Sequence, residues 1–335
     1  MLVVSADWAL ADEAYDLYGS ALLRYENDHD LSLPGDDRER IRFIGRLGLK
    51  YTLNDNWFVD ARLSTGFKNY QYIPAIFIYT FDGRQLGRQD VYFDRYYVGY
   101  QSEKLAVNVG KVPWALKPNT DMFWDLDHNP FGATLTYQTE NGQIDAGFIK
   151  PLDGYRETVG TLGYVAYRTR WQFDDVNITM MPWLVDYEGE DGAKYSVLDT
   201  AYDHRSARIA ITAAMAKWTL GLDIGRAFDA QDLPEGFENE TTAWVGSLSW
   251  GNLKEPGNWH AWARWFHVER FGVVTEFGQN ALLGFMTSNF EGPDYRLRYR
   301  INKSWWVGAR LSDIRSLEGR NRYGKRFRIE AQYAF

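Results

Sequence analysis

Arginine recurs on every second residue in several stretches of this 335-residue chain. Arg296, Arg298 and Arg300 alternate with tyrosine and leucine side chains, so the three arginines share one face of an extended segment. Arginine stays charged and offers several hydrogen-bond donors, and a row of arginines can therefore attract and bind anionic groups. Such a row needs water on its face, because an unpaired charge is costly to bury.

Basic residues near both ends of the chain also occupy alternate positions, so they are expected on the same face of their strands. If a sheet closes into a barrel, its first and last strands become neighbours and their arginines share one wall. The set that we call the basic wall is Arg24, Arg40, Arg42, Arg46, Arg62, Arg296, Arg298, Arg300, Arg310, Arg326 and Arg328. We expect this wall to line a pore. The alternative is that its arginines only brace the wall by pairing with acids such as Asp60, Asp94, Asp223 and Glu330.

Three acids lie in a segment, 113–130, that reads as a loop. We expect Asp121, Asp125 and Asp127 to face the basic wall across the pore, which would create a transverse field acting on dipolar solutes. These aspartates lack the glycine and the terminal glutamate of a calcium-binding loop, so a solvated loop is favoured over a metal site.

Motifs for catalysis, metals or cofactors are weak. The five histidines show no repeated metal-ligand spacing. The nearest His and Ser, His204 and Ser206, have no evident acid partner or oxyanion donors. No glycine-rich phosphate motif joins a strand to a helix. We therefore predict no enzyme, no metal and no cofactor, and the net charge of −8 argues against a nucleic-acid partner.

The elements that carry these residues follow period two. In the last thirteen residues, Phe327, Ile329 and Phe335 belong to an apolar face, and Arg326 and Arg328 to a polar one. Segments of this kind predict an all-β chain of about sixteen antiparallel strands. The predicted strands are 16–26, 40–53, 57–67, 91–101, 104–112, 131–139, 143–150, 158–171, 175–187, 206–215, 218–228, 240–250, 258–269, 293–301, 304–316 and 323–335. No apolar run reaches the roughly 20 residues of a membrane-spanning helix.

Short and long connections alternate between these strands. Turns of a few residues, as at 53–56 and 140–142, alternate with longer polar or glycine-rich segments, as at 68–90 and 113–130. Tryptophan and phenylalanine cluster beside the short turns. This alternation and this clustering are typical of a transmembrane up-and-down β-barrel, with tight turns at the periplasmic rim and an aromatic girdle.

Composition agrees with a wall that is apolar outside and wet inside. Aromatic residues make up 16% of the chain and charged residues 24%. The predicted lipid face carries Leu47, Leu49, Tyr299, Ile329, Tyr333 and Phe335. The alternative is a soluble β-propeller or lectin-like binding protein, since sixteen strands could form four blades. No repeat at blade spacing supports it.

Several motifs resemble those of bacterial outer-membrane porins. Asp16-Leu17-Tyr18-Gly19 resembles the start of a mature porin, and Phe335 after Tyr333 resembles the carboxy-terminal assembly signal. Residues 40–57, 107–114 and 124–132 resemble the family usually labelled putative porin.

This resemblance implies an outer-membrane homotrimer, embedded in lipid, that lets small hydrophilic solutes and ions diffuse passively. It also implies that loop 113–130 folds into the pore. We expect residues 1–11 to be a signal-peptide remnant or a disordered start and residues 12–335 to form one barrel domain. A modest preference for anions is expected from the basic wall. The alternatives are a substrate-selective channel or a barrel that sheathes an electron-transfer partner.

Overall fold

The computed structural model describes most of the chain. The described residues are 14–32, 37–67, 73–83, 89–116, 119–151, 160–189, 203–229, 239–274, 277–278, 287–319 and 321–335. The predicted signal remnant, residues 1–11, lies outside them. No helix in the described residues is long and apolar enough to span a membrane.

Strands account for the regular structure of the described residues. They are β1 (Tyr15–His29), β2 (Arg38–Thr52), β3 (Trp57–Gly66), β4 (Ile76–Thr80), β5 (Asp90–Gln101), β6 (Leu105–Lys111), β7 (Phe131–Thr139), β8 (Gly142–Lys150), β9 (Thr161–Phe173), β10 (Val176–Glu188), β11 (His204–Met215), β12 (Trp218–Asp229), β13 (Thr242–Gly251), β14 (Trp259–Val268), β15 (Phe290–Arg300), β16 (Trp305–Ser316) and β17 (Tyr323–Ala334).

Sixteen of these strands form a closed antiparallel barrel, as predicted. The first strand closes the sheet by pairing with the last, from Ser20 opposite Ala334 to His29 opposite Lys325. Closure gives each of the sixteen strands a partner on both sides, and an antiparallel up-and-down barrel is therefore confirmed in place of a propeller or other soluble β-fold.

The seventeenth strand, β4, is an addition that the sequence did not predict. It lies in the connection between β3 and β5 and pairs with the outer half of β2, with Ile41 opposite Tyr79. β3 pairs with the half of β2 that adjoins the short turn, from Arg46 to Thr52, and also with β5. With only five residues and no strict alternation of apolar and polar side chains, β4 gives a weak period-two signal.

The two faces of the barrel wall follow the predicted alternation. Leu47, Leu49, Ile329 and Phe335 are each about half exposed on the outside, at 46–56% of their full area. Their neighbours Arg326 and Arg328 are buried on the inside. A lipid bilayer would cover the outer face, where apolar side chains cost nothing to expose to hydrocarbon.

Aromatic pairs mark the rim formed by the short turns. The ring of Trp57 packs edge-to-face against that of Tyr100, with ring centroids 5.2 Å apart. Trp305 lies 5.1 Å from Tyr333. At the same rim Gly19 and Phe335 exchange two backbone hydrogen bonds of 3.1 Å. A Cβ at Gly19 would lie 2.6 Å from Cζ of Phe335, so the glycine leaves room for the terminal ring.

The barrel interior is filled unevenly. On the side of β9 to β14, inward residues such as Leu162, Trp183 and Phe266 are apolar and buried. They pack against Trp124 of the 112–130 connection and Phe271 of the 269–289 connection in one hydrophobic cluster. The opposite side, from β15 through β17 to β3, carries the basic wall. Any water-filled passage must therefore run beside the arginines.

Candidate functional site

The structure brings the basic wall together on neighbouring strands. Across the closure, Arg24 on β1 lies opposite both Arg42 on β2 and Glu330 on β17. On the other flank, Arg310 on β16 lies opposite both Arg296 on β15 and Arg328 on β17. Residues from the two ends of the chain thus form one inward-facing surface, because period two keeps them all in the same phase.

In the outer half of this wall, two carboxylates pair with four arginines. Glu26 is fully buried and accepts hydrogen bonds from Arg40, Arg42 and Arg328, the last at 2.6 Å. Asp28 accepts hydrogen bonds from Arg40 at 3.0 Å and from Arg326. Buried charges are tolerated when they are paired in this way. These four arginines brace the seam where β17, β1 and β2 meet.

Further pairs stabilise the middle of the wall. Arg62 donates to Asp94 and Arg310 donates to Asp294, with an Nε to Oδ1 distance of 2.7 Å for the second pair. Two more arginines share one carboxylate: Glu330 lies 2.8 Å from Arg24 and 2.6 Å from Arg296. A single acid between two cations leaves a net positive charge at this point.

Two further arginines of the wall lie closer to the rim of short turns. Within the part of the chain that the structure describes, no carboxylate lies at ion-pair distance from Arg298 or Arg300. Arg300 donates to the backbone carbonyl of Lys303. Arg298 instead lies over two indoles, 4.5 Å from the ring centroid of Trp306 and 5.3 Å from that of Trp262.

The connection 112–130 contacts both sides of the barrel interior. Thr120 Oγ1 donates to Asp223 on β12, and Asp121 Oδ1 lies 3.7 Å from an Arg264 nitrogen on β14. Asp127 accepts a hydrogen bond from Arg46 of the basic wall. The third acid, Asp125, accepts a 2.8 Å hydrogen bond from the backbone N–H of Asp127, so it orders the loop itself.

Two ionisable groups of this loop have shifted pKa values. Burial raises the pKa of the Asp127 carboxyl, but the charge and hydrogen bond of Arg46 outweigh burial and bring the pKa below its ordinary value. Asp127 is therefore ionised at neutral pH. Burial, with a smaller contribution from Lys111, lowers the pKa of His128 to about 3. His128 is therefore neutral, which suits its position between the rings of Trp124 and Phe277.

The nearest His and Ser of the sequence do not form a hydrogen-bonded pair. His204 Nε2 lies 2.9 Å from the carbonyl oxygen of Phe271, and Ser206 Oγ accepts a hydrogen bond from Arg208. Arg208 also donates to the carbonyl of Gly272 at 2.7 Å. All three side chains on β11 thus connect to the 269–289 connection or to each other. Among the described residues, no group of three or more His, Asp or Glu could hold a metal ion.

Comparison with known proteins agrees with this arrangement. Residues 28–165 match the model of a family described as putative porin. This stretch contains β1 from Asp28 onward, β2 to β8, the 112–130 connection and the start of β9. Over this stretch the chain resembles the putative porin family. No curated protein matched its sequence.

Solved structures of outer-membrane proteins resemble this chain over nearly its whole length. Pseudomonas putida OprB at high pH matches with a TM-score of 0.62 and 9% identity, covering 96% of this chain and 94% of that one. Acinetobacter baumannii OccAB4 matches with a TM-score of 0.56 and 11% identity, covering 97% and 99%. Vibrio cholerae OmpT matches with a TM-score of 0.55 and 13% identity, covering 96% and 99%. At such identities the likeness concerns the fold alone.

Some residues that contact the basic wall were not predicted from the sequence. Glu26, Asp28 and Asp294 pair with its arginines but were not among the predicted acids. The sequence did contain a signal for Glu26 and Asp28. They follow Arg24 at every second residue of β1 and therefore lie on the same inward face. Trp262 and Trp306 carry no such signal, since a tryptophan near a strand end is equally expected on the lipid face. The role of Phe335 as an assembly signal stays a prediction.

Proposed function

We propose that this chain is an outer-membrane porin that passes small hydrophilic solutes and prefers anions. The observation that carries the proposal is the pair Arg298 and Arg300, which lack carboxylate partners among the described residues. Arg24 and Arg296, which share Glu330, add to their field. In a narrow passage, charges act across a Debye length of about 8 to 10 Å. Wall residues therefore outweigh acids in distant loops, despite the net charge of −8.

The same proposal gives loop 113–130 the role of narrowing the passage. Its support is that the loop is anchored at Asp223, Arg264 and Arg46, which lie on three different strands. Asp121 and Asp127 then face cations at the neck, and Asp125 holds the turn between them. Arg40, Arg42, Arg326 and Arg328 brace the wall under this proposal, and Arg62 and Arg310 are neutralised beside it.

The similar structures support a solute class and an assembly. Pseudomonas aeruginosa OccK2 was solved with glucuronate and OpdK with vanillate, both organic acids. Vibrio cholerae OmpT was solved in a trimer form. We propose by likeness that the present porin carries carboxylated solutes as a lipid-embedded homotrimer. It works as a channel without catalysis, cofactor or nucleic-acid partner. A substrate-selective channel is the second candidate, which the indole-flanked Arg298 favours.

The selectivity can be tested by the zero-current potential of single channels in a potassium chloride gradient. Replacing Arg298 and Arg300 together by Ser should move this potential toward that of a cation channel, because the unpaired positive charges are removed. The shift should fade at high salt as screening increases. Arg315→Ser is the matched control, since Arg315 is 68% exposed on the outer face and pairs with Glu291. An unchanged potential in the double variant would contradict the proposal.

A further inference from the structure

Arg298 contacts two tryptophan rings and has no carboxylate partner among the described residues. Its guanidinium lies 4.5 Å from the ring centroid of Trp306 and 5.3 Å from that of Trp262. Cation–π contact with two indoles fixes the plane of a guanidinium without neutralising its charge. A carboxylate partner would have fixed it and neutralised it together.

The backbone beside Arg298 is shaped to accept this conformation. Gly308 on β16 lies directly opposite Arg298. A Cβ at Gly308 would lie 2.9 Å from Cγ of Arg298, so the glycine lets the arginine lie across the strand toward Trp306. A second guanidinium, that of Arg296, lies 5.0 Å from Trp262 and 5.4 Å from Trp306. It also donates to Glu330 at 2.6 Å.

We infer that Arg298, together with Arg296, forms a fixed binding site for small planar carboxylates inside the passage. The inference rests on the proposed function in that solutes must pass this wall. The proposed function requires only a general attraction for anions, whereas this inference adds a specific site that a carboxylate can saturate. The guanidinium carbon of Arg298 lies over the indole rings of Trp306 and Trp262, and its terminal N–H groups can donate to a ligand. Two edge N–H groups match the two oxygens of a carboxylate and do not match a spherical chloride ion.

Neighbouring charges favour an external anion at this place. Glu330 pairs with Arg296 and is already shared with Arg24. The terminal N–H groups of Arg298 have no hydrogen-bond partner among the described residues. A carboxylate arriving from solution would supply the missing charge and would accept hydrogen bonds from these terminal N–H groups.

The test is single-channel conductance as a function of salt activity, with potassium acetate and potassium chloride as probes. For the native porin, conductance should saturate with acetate activity and stay linear with chloride over the same range. Arg298→Lys keeps the charge but loses the fork and the flat contact with the indoles. In this variant the half-saturating acetate activity should rise about ten-fold, the effect of losing roughly one hydrogen bond to a charged group.

Two further variants separate the site from its surroundings. Trp306→Leu should raise the half-saturating acetate activity in the same direction while all arginines are retained. Arg315→Lys is the matched control, because Arg315 is exposed on the outer face of the barrel and pairs with Glu291. It should leave the acetate curve unchanged.

The outcomes distinguish this inference from the proposed anion preference. Linear conductance in acetate for the native porin, or unchanged saturation in Arg298→Lys, would overturn the binding site. The zero-current potential in potassium chloride should stay the same in Arg298→Lys, since the charge is preserved. If acetate saturates but the native channel shows no anion preference in chloride, the proposed selectivity fails and the carboxylate site stands.

Discussion

At the scale of single residues, the surroundings decide what an arginine of this wall does. Arg328 and Arg298 are both inward-facing arginines of neighbouring strand pairs. Arg328 is 3% exposed and bound to Glu26, whereas Arg298 is partly exposed and bound to indoles. Sequence alone could place both on the inner face, because period two assigns faces. It could not tell a bracing arginine from a free one, because the partners come from strands distant in sequence.

The assignment of faces itself can be tested at Ile329. This residue is half exposed near the middle of β17, between the buried Arg328 and Glu330. Replacing Ile329 by Arg should lower the free energy of unfolding by roughly 2 to 4 kcal/mol, because a charge would face hydrocarbon near the bilayer midplane. The measurement is urea unfolding in lipid vesicles, with Ile329→Leu as the control. Equal stabilities of the two variants would show that residue 329 does not face lipid.

At the scale of elements, strands were predictable and loops were not. All sixteen predicted strands are present, because successive side chains alternate between the two faces of the wall. The short strand β4 was missed because its register is determined by pairing with β2. The apolar inner face of β10, with Met181, Trp183 and Val185, follows from loops packing inside the barrel, which no local pattern reveals.

The seam between the first and last strands offers the sharpest test at this scale. Glu26 is buried beneath Arg40, Arg42 and Arg328. Glu26→Gln should lower the free energy of unfolding by about 3 to 5 kcal/mol, because it leaves buried guanidinium groups without a counter-charge. Thermal or urea unfolding of the detergent-solubilised barrel measures the effect.

Glu291→Gln is the matched control for the seam. Its partner Arg315 is 68% exposed, and exposed pairs contribute at most about 1 kcal/mol. If the two substitutions destabilise the barrel equally, the seam network has no special role in closure.

At the scale of the whole molecule, the barrel has a packed side and a charged side. Described residues of the connections 112–130 and 269–289, such as Trp124 and Phe271, pack against β9 to β14, and the paired arginines and acids lie on the strands from β15 through β17 to β3. The putative-porin match over residues 28–165 and the closed sixteen-stranded barrel point to the same function. The central claim is that the charged side borders a continuous water-filled passage through the membrane.

Electrical recording of the purified, folded chain in a planar lipid bilayer tests this claim most directly. A continuous passage predicts stepwise conductance increments, each from one inserted assembly, that persist at low voltage without any energy source. The size of the steps should grow with the concentration of potassium chloride. Folded protein that inserts into the bilayer and produces no conductance above the leak of the lipid would contradict the claim.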